Sequence, residues 1–419
     1  MAKKEFIVGL DIGTTKVVCI VGEGGPGASL NIVGFGQAPS IGLRKGVVIN
    51  IETTVEAIRK AVKEAENMAG IRISSAYVGI AGTHIKSFNS SGVVAIKDKE
   101  ITAQDVCRVI DAAKAVMIPQ DREVLHVIPQ EFIVDDQDGI REPIGMNGVR
   151  LEAKVHIVTC ATSSAQNLIK CANKAGINVT KLCLQPIASS HAVLNQDEKE
   201  LGVALVDIGG GTTDIAIFRE GALLYTSVLP VGGVHITNDI SVGIRASIDA
   251  AEKIKLEQGC AMASLVKEDE TIEVPAVGEG KARVVSRKIL AEIIEARVEE
   301  MFSLVQSEIN RSGYAEILAA GVVLTGGTTL LQGMVELGDF LFEVPLKRGI
   351  PIRLGGLKEI VSSPKYSTAV GLLKYGADQT TRSSNSHSPV SMVGDAFLGE
   401  EGVLGRFGDQ VKNWMKDLF

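Results

Sequence analysis

The sequence predicts an α/β protein, and three observations carry that prediction. β-Branched runs end at glycines, of which the chain has 45 in 419 residues; this is the pattern of strands meeting tight turns. Amphipathic helical stretches alternate with those runs, which lays helices on sheets. An Asp–Gly–Thr turn between two apolar runs occurs twice, in "GLDIGTTKVVCIVGE" and in "ALVDIGGGTTDIAIF". The length makes two or three domains natural.

Hydrophobic residues at 45% and a formal charge of −7 describe a soluble globular protein. The acidic balance argues against broad nucleic-acid binding, which needs dense Lys and Arg to displace counterions. Six cysteines sit inside apolar runs with no C-x-x-C pair, which reads as reduced core thiols. The opening "MAKKEFIVGLDIG" is too short and too polar for a signal-peptide core, and no run reaches the roughly 20 apolar residues of a spanning helix. The chain is therefore expected neither to be exported nor to cross a membrane.

Along the chain, "GEGGPG" formally matches G-x-G-x-x-G at Gly22, Gly24 and Gly27. It contains Pro26 and runs into another strand, so it reads as a hairpin turn. "TTVEAIRKAVKEAENMAG" predicts a helix with Val55, Ile58, Val62, Ala65 and Met68 on one face, a capping box from Thr53 and Glu56, and a stop at Gly70. Residues 84–162 read as a small inserted unit with its own strands and helix, and within it the stretch "IVDDQDGIREPIGMNG" reads as irregular and acidic. From Ser286 a long helix repeats Leu290, Ile293, Ile294, Met301, Val305 and Ile309 at helical intervals. Residues 378–402 lack periodicity and are rich in Ser, Thr and Asn, the composition of a disordered linker.

An acidic residue at the end of a buried strand is costly unless something pairs with it. Asp11 and Asp207 are two such residues, each followed by a Gly-rich turn, which points to a shared cation. Gly13, Gly209, Gly210 and Gly211 let backbone approach a ligand, and successive N–H groups form an anion nest. Thr14, Thr15, Thr212 and Thr213 add hydroxyls and Lys16 adds charge. The composite fits a polyphosphate with a divalent ion, Mg²⁺ held by the aspartates through water. No G-x-x-x-x-G-K-[ST] loop is present.

A third strand ends at Gly326-Gly327 in "GVVLTGGTTLLQGM". Asp turn, Asp turn and Gly-Gly turn together resemble the phosphate-1, phosphate-2 and adenosine motifs of the actin/Hsp70/sugar-kinase superfamily. The resemblance implies two similar RNase-H-like domains facing each other across an ATP cleft, each supplying one phosphate hairpin. "ELGVALVDIGGGTTDIAIF", "LAAGVVLTGGTTLLQGM" and "YSTAVGLLKYG", with the inserted segment and a short terminal helix, resemble the FtsA family of bacterial cell-division proteins.

That resemblance implies a first domain (1A) over 1–83 and 163–195, an FtsA-specific subdomain (1C) over 84–162, a second domain (2A) over 196–228 and 306–377, and an FtsZ-tail-binding subdomain (2B) over 229–305. Gly13, Thr14, Thr15 and Lys16 would line the β- and γ-phosphates from one side, and Gly209, Gly210, Gly211 and Thr212 from the other. Gly232 and Gly233 would approach the ribose or phosphates, and Gly326 and Gly327 would pass under the adenine. Glu252 and Lys255 match the residues that hold the nucleoside; an ordinary solvated ion pair is the plainer reading. Gln185 falls where relatives position the attacking water, with Asp11 and Asp207 as its catalytic partners through the metal, although a structural Gln before Pro186 fits as well. The resemblance implies firm ATP binding with slow or negligible turnover.

The implied partners are the FtsZ C-terminal tail, other copies of the chain in a filament, later division proteins and an anionic membrane surface. Arg297 matches a position used for the tail, and Arg287 and Lys288 extend a basic face or are ordinary surface charges. In residues 403–419, Leu404, Phe407, Val411, Trp414, Met415 and Leu418 recur at steps of three and four, with Phe419 at the end. Such a helix, about 25 Å long, is too charged to span a bilayer and is expected to lie in its interface. Docking on the protein's own core is the alternative, and the preceding linker argues against it. The implied location is the cytoplasmic face of the inner membrane at the division septum. A small-molecule kinase or a pilus-assembly scaffold of the same superfamily are the rival readings.

Overall fold

A computed structural model describes residues 5–24, 30–276 and 281–384. In the first half, β1 (Glu5–Ile12), β2 (Lys16–Gly24) and β3 (Asn31–Pro39) form an antiparallel meander. The small hairpin β4 (Leu43–Arg44) and β5 (Val47–Val48) leads into α1 (Ile51–Ala69), and β6 (Ser75–Ile80) returns parallel to β1. The chain then builds β7 (Lys86–Ala95), α2 (Ala103–Lys114), β8 (Arg122–Val134), β9 (Gln137–Ile140) and β10 (Arg150–Ala161). α3 (Thr162–Lys174) and β11 (Asn178–Leu184) complete this half, β11 lying parallel to β6.

α4 (Gln185–Val193) and α5 (Gln196–Leu201) lead to the second meander, β12 (Val203–Ile208), β13 (Thr213–Arg219) and β14 (Ala222–Leu229). α6 (Gly233–Gly243), α7 (Ile248–Gln258), the hairpin β15 (Thr271–Val274) and β16 (Arg283–Ser286), and α8 (Arg287–Ser312) follow. β17 (Val322–Thr325) pairs parallel to β12; α9 (Met334–Leu341) crosses to β18 (Leu346–Arg348), parallel to β17. β19 (Gly355–Gly356), α10 (Lys358–Val361) and α11 (Ser367–Ser384) end the described chain.

The sheet orders expose a duplication. One sheet runs β11-β6-β1-β2-β3-β19 and the other β18-β17-β12-β13-β14. In both, an antiparallel three-stranded meander is extended on its first strand by two parallel strands. That places Asp11 and Asp207 at equivalent strand ends. Each half has its own apolar core, around Leu10, Val17, Ile58 and Val78 in one and around Val206, Ile215, Leu290 and Phe302 in the other.

The inserted unit is a four-stranded sheet, order β7-β10-β8-β9, whose core joins α2 through Val106, Val109 and Ile110 to Phe132, Leu151 and Val155. A reciprocal cap starts α2: Thr102 N–H donates to Asp105 Oδ2 at 2.9 Å, and Asp105 N–H to Thr102 Oγ1 at 3.3 Å. The acidic stretch expected to be irregular contains instead a β8–β9 hairpin, turned by Asp135 at φ 54°.

Several local expectations are corrected. α1 begins three residues earlier than its predicted cap, because Asn50 is extended (φ −142°) and its side chain accepts from Thr53 N–H at 3.2 Å. Its end at Gly70, with φ 67°, is as expected. Val55, Ile58, Val62 and Ala65 are buried as expected, but Met68 is 47% exposed, and Ala57 and Ala61 complete the buried face. Those small residues let α1 lie against β3, so close that a Cβ on Gly36 would stand 1.9 Å from the Ala61 carbonyl oxygen. Gly22 and Gly24 lie in β2, which turns back into antiparallel β3, while Gly27 is outside the described residues. α8 has Ile293 only partly buried, with Val298 and Phe302 completing its stripe. α11 continues to Ser384, past residue 378 where the linker was expected to start. The rest of that linker and the terminal helix, with Leu404, Phe407, Val411, Trp414, Met415, Leu418 and Phe419, lie outside the described residues. No described helix is long and apolar enough to cross a membrane.

The α1–β3 contact gives a direct test. Gly36→Ala is expected to lower the unfolding free energy by about 2–3 kcal/mol, as overpacking does. Gly70→Asn, in open space at a left-handed cap, should cost less than about 1 kcal/mol. Denaturant midpoints of the two variants decide it; equal losses would contradict the packing argument.

Candidate functional site

The two duplicated hairpins meet at their tips. Each is closed by the same bond, Gly13 N–H to the Lys16 carbonyl and Gly209 N–H to the Thr212 carbonyl, both at 2.9 Å. This aligns Thr14 and Thr15 with Gly210 and Gly211, so the repeated Gly-Thr-Thr of the sequence is offset in space. The difference has a steric cause. A Cβ on Gly210 would stand 2.4 Å from the Thr15 methyl, and one on Gly211 would stand 2.7 Å from Thr14 Oγ1. One hairpin supplies hydroxyls and the other bare backbone. Among the described residues the N–H groups of Thr14, Thr15, Gly210 and Gly211 have no acceptor, which leaves four donors at the tips.

Beneath the tips lie three buried carboxylates, Asp11, Asp207 and Asp214, all lining one pocket. Asp207 and Asp214 are direct cross-strand partners, whereas Asp11 faces Val18 at the matching position. Asp214 is the residue sequence reasoning missed; its signal was the Asp directly after the second Thr-Thr. Burial pushes Asp11 up to about 6, against the pull of Lys16 and with a further push from Asp207. Burial, then the charge of Asp207, raises Asp214 to about 8. Asp207 is also raised by burial, opposed by Ser189, Lys16 and Thr368.

Hydrogen bonds from two helices and from the second hairpin itself answer part of this cost. At the start of α4, Gln185 Nε2 donates to Asp11 Oδ1 at 3.0 Å. Ser189 Oγ donates to Asp207 Oδ2 at 2.6 Å, and Thr368 of α11 to the same oxygen at 3.3 Å. Thr212 Oγ1 donates to Asp214 Oδ2 at 3.1 Å, but Asp214 Oδ1 is buried with no partner. Gly326 closes the back at φ 91°, where a Cβ would stand 2.4 Å from Asp207 Oδ1; Gly327 lines the pocket with Pro364 and Lys365.

The donor set suits a hard divalent cation: only oxygens, buried, and one carboxylate atom unsatisfied. Among the described residues no three acidic, His or Cys side chains are grouped to grip a metal directly. The residues therefore fit an ion that keeps its waters.

Comparison with known proteins decides the family. The family model described as "Cell division protein FtsA" matches residues 204–371, and "SHS2 domain inserted in FTSA" matches residues 82–159. Cell division protein FtsA of Pseudomonas aeruginosa is 50% identical over 415 residues, covering 99% of this chain and 98% of that protein. Those of Neisseria meningitidis serogroup B and Escherichia coli K12 are 46% and 43% identical, covering 100% and 99% of this chain and 99% and 97% of theirs.

The chain belongs to the FtsA family.

It is thus a cell division protein of actin-like fold. Solved structures agree on that fold: the PilM–PilN type IV pilus biogenesis complex (TM-score 0.65, 15% identity, 88% of this chain and 98% of that one) and MreB5 of Spiroplasma citri bound to AMPPNP (TM-score 0.55, 16%, 91% and 99%).

The remaining site residues of this FtsA family member stand one layer behind the tips. α6 starts at Gly233, whose N–H donates to the Gly209 carbonyl at 3.0 Å, and Val234 N–H reaches the Gly210 carbonyl at 2.8 Å. A Cβ on Gly232 would meet Gly209 O at 2.7 Å. Gly232 and Gly233 thus seat the second hairpin rather than line the pocket. Lys255 is no solvated surface cation. It is buried, and Nζ donates to Glu252 Oε2 at 2.6 Å, Thr237 Oγ1 at 2.8 Å and the Gly233 carbonyl at 3.1 Å. Burial lowers its pKa, against the pull of Glu252. The Glu252–Lys255 pair ties α7 to the start of α6.

The expected basic face is fully engaged. Arg297 grips Asp239 of α6 with two nitrogens and pairs with Glu300. Arg287 donates to Glu270 at 2.5 Å, the Gln258 carbonyl at 2.9 Å and Gln332 at 3.0 Å, so its role is to lock α8 onto its neighbours. Lys288 pairs with Glu268. No bare cationic strip remains along this side of α8.

The carboxylates set a pH dependence. Each folded-state value lies above the ordinary 3.8, so protonation favours the folded, ligand-free protein. That contribution is full below about pH 4 and is lost as pH rises through about 6 for Asp11 and about 8 for Asp214. Unfolding free energy in EDTA should therefore fall with rising pH over this window, by up to about 1.4 kcal/mol per pH unit for each group. Asp214→Asn should flatten the part above about pH 6. Denaturant titrations from pH 5 to 8.5 check it, and an unchanged slope in the variant would contradict the assignment.

Proposed function

We propose that this protein binds ATP with Mg²⁺ between the two hairpins, polymerises, and anchors FtsZ filaments to the cytoplasmic face of the inner membrane at the division septum. On the same reading it helps recruit later division proteins. The observation that carries the nucleotide part is the pair of hairpin tips with four unused N–H donors above three buried carboxylates. That a protein of the same fold was solved with AMPPNP supports it.

In this reading the tip N–H groups and the hydroxyls of Thr14 and Thr15 hold the β- and γ-phosphate oxygens, Thr212 lines them while its hydroxyl is committed to Asp214, and Lys16 balances their charge. Asp11, Asp207 and Asp214 orient the waters of Mg²⁺, which supplies charge neutralisation to the phosphates. Gly326 and Gly327 give the adenine a surface without side chains. Glu252 and Lys255 steady the nucleoside side of the cleft through α6. Gln185 is the candidate to orient an attacking water, and its amide is committed to Asp11, which fits slow or negligible turnover.

The membrane part rests on the sequence of residues 403–419. Six large apolar residues at about 1 kcal/mol each contribute roughly 6 kcal/mol, before several kcal/mol are lost to ordering. A single anchor holds weakly, and a filament presenting many holds far better. For the FtsZ tail, the α6–α8 side is the proposed surface. Because Arg297, Arg287 and Lys288 already have acid partners, a tail carboxylate would have to displace Asp239, Glu270 or Glu268.

Co-sedimentation with anionic liposomes, ATP and a fluorescent FtsZ tail peptide tests the tether. The full-length chain should pellet and carry the peptide, and a chain ending before Gly402 should bind peptide yet stay in solution. If neither lipid nor peptide is bound, the tether reading is wrong. Arg297→Glu should weaken peptide capture about tenfold or more, as loss of a charge-assisted contact does; unaltered capture would move the tail elsewhere.

A further inference from the structure

The end of the first half remote from the nucleotide cleft carries an open groove of exposed cations. It lies between the second half of α1 and the turns that precede β6 and β11, and is lined by Arg59, Lys60, Lys63 and Arg72 with Glu64 and Glu66. Both acids accept backbone N–H groups and keep their charge, so the lining holds four cations against two anions. Glu64 accepts from Gln37 N–H and Glu66 from Ile73 N–H, each at 2.9 Å. Arg59 donates to the Lys174 carbonyl at 2.6 Å, and its charge helps hold down the carboxyl of Glu52, so it is not one of the free cations. Lys60, Lys63 and Arg72 are exposed and have no acid partner among the described residues. In a chain of formal charge −7, bare cations gathered on one face need a reason.

Their place in the fold supplies one. β1, β6 and β11 are parallel, and the nucleotide cleft sits at their C-terminal ends, where Asp11, Ile80 and Gln185 line it. The groove sits at the opposite ends of β6 and β11, about one strand length or 20 Å away. α11 connects the two ends. It starts at the cleft, where Thr368 donates to Asp207, and runs back along β1: a Cβ on Gly9 would meet the Ala369 carbonyl oxygen at 2.6 Å. One on Gly376 would meet the Tyr77 ring at 2.6 Å and the Ile7 side chain at 2.7 Å. By Gly376 the chain has therefore reached the groove's end of the sheet. The amphipathic segment lies further along the same chain.

We propose that this end of the first half faces the membrane, and that Lys60, Lys63 and Arg72 make a second, electrostatic contact with anionic lipid head groups. The inference rests on the membrane reading above. The terminal segment holds three cations (Arg406, Lys412, Lys416) against two acids (Asp409, Asp417), a net of +1. It is an apolar anchor with little charge preference of its own. The groove supplies that preference and fixes which face of each subunit meets the bilayer, a requirement if many subunits in one filament are to attach together.

The test uses the full-length chain with vesicles of phosphatidylcholine alone and with about a third phosphatidylglycerol. Each Lys or Arg near an anionic leaflet strengthens binding about fivefold. The triple variant Lys60→Ala, Lys63→Ala, Arg72→Ala should therefore bind the anionic vesicles about 100-fold more weakly, and the neutral ones within about twofold. A variant that keeps the wild-type preference for anionic vesicles overturns the proposal. So does loss of binding to a synthetic acidic peptide of residues 394–402 with the vesicle preference intact, which would make the groove a peptide site. Wild-type protein that binds both vesicles equally refutes the groove contact alone. Wild-type protein that binds neither refutes the membrane reading itself.

Discussion

Three buried carboxylates converging beneath two glycine-rich hairpins are the constraint on which the rest of this structure depends. Desolvation penalises each, and the pair Asp207–Asp214 sits directly across two strands, where like charges repel. The protein answers with oriented donors from Gln185, Ser189, Thr212 and Thr368 and with Lys16 at one hairpin. It leaves one oxygen of Asp214 without a partner. The site is thus incomplete in charge, and a cation travelling with a polyphosphate is the chemistry that completes it.

The same constraint explains why the duplication is unequal. Two identical threonine hairpins could not meet tip to tip, because Thr15 already fills the space a side chain on Gly210 would need. Acid appears once more on the second side, at Asp214, where the first has Val18. Supports are unequal as well. The second hairpin is seated on the N–H groups of α6, which Lys255 braces from beneath; the first receives the Gly46 N–H on Thr14 Oγ1 at 3.3 Å. Changes at Lys255 therefore reach the phosphate site through backbone.

Much of this was legible in the sequence, for physical reasons that can be named. The Asp–Gly turns and the Gly326-Gly327 turn announced themselves because buried acids and left-handed backbone tolerate few residue types. The α1 end at left-handed Gly70 was readable for the same reason, and the long helix expected from Ser286 does begin there, with Ser286 as its cap. What was not legible depended on partners distant in sequence. Asp214 looked like another polar residue until its strand was paired with β12. Arg287 and Lys288 looked free until Glu270 and Glu268 were brought to them. Met68 matched the helical period, but the alanines of α1 that face β3 took the buried face. The basic groove is assembled from α1 and two separate turns, and no local run of charge marks it.

Thermal unfolding of the full-length protein near pH 7.5 with Mg²⁺ alone, ATP in EDTA, and Mg²⁺ with ATP measures the central claim most directly. If the carboxylates await a cation that arrives with the phosphates, only the combination should stabilise strongly. A concentration about 100 times the dissociation constant contributes about 2.7 kcal/mol, or roughly 3 °C in a protein of this size. ATP in EDTA stabilising as much as Mg²⁺ with ATP, or no stabilisation by the combination, would contradict the account.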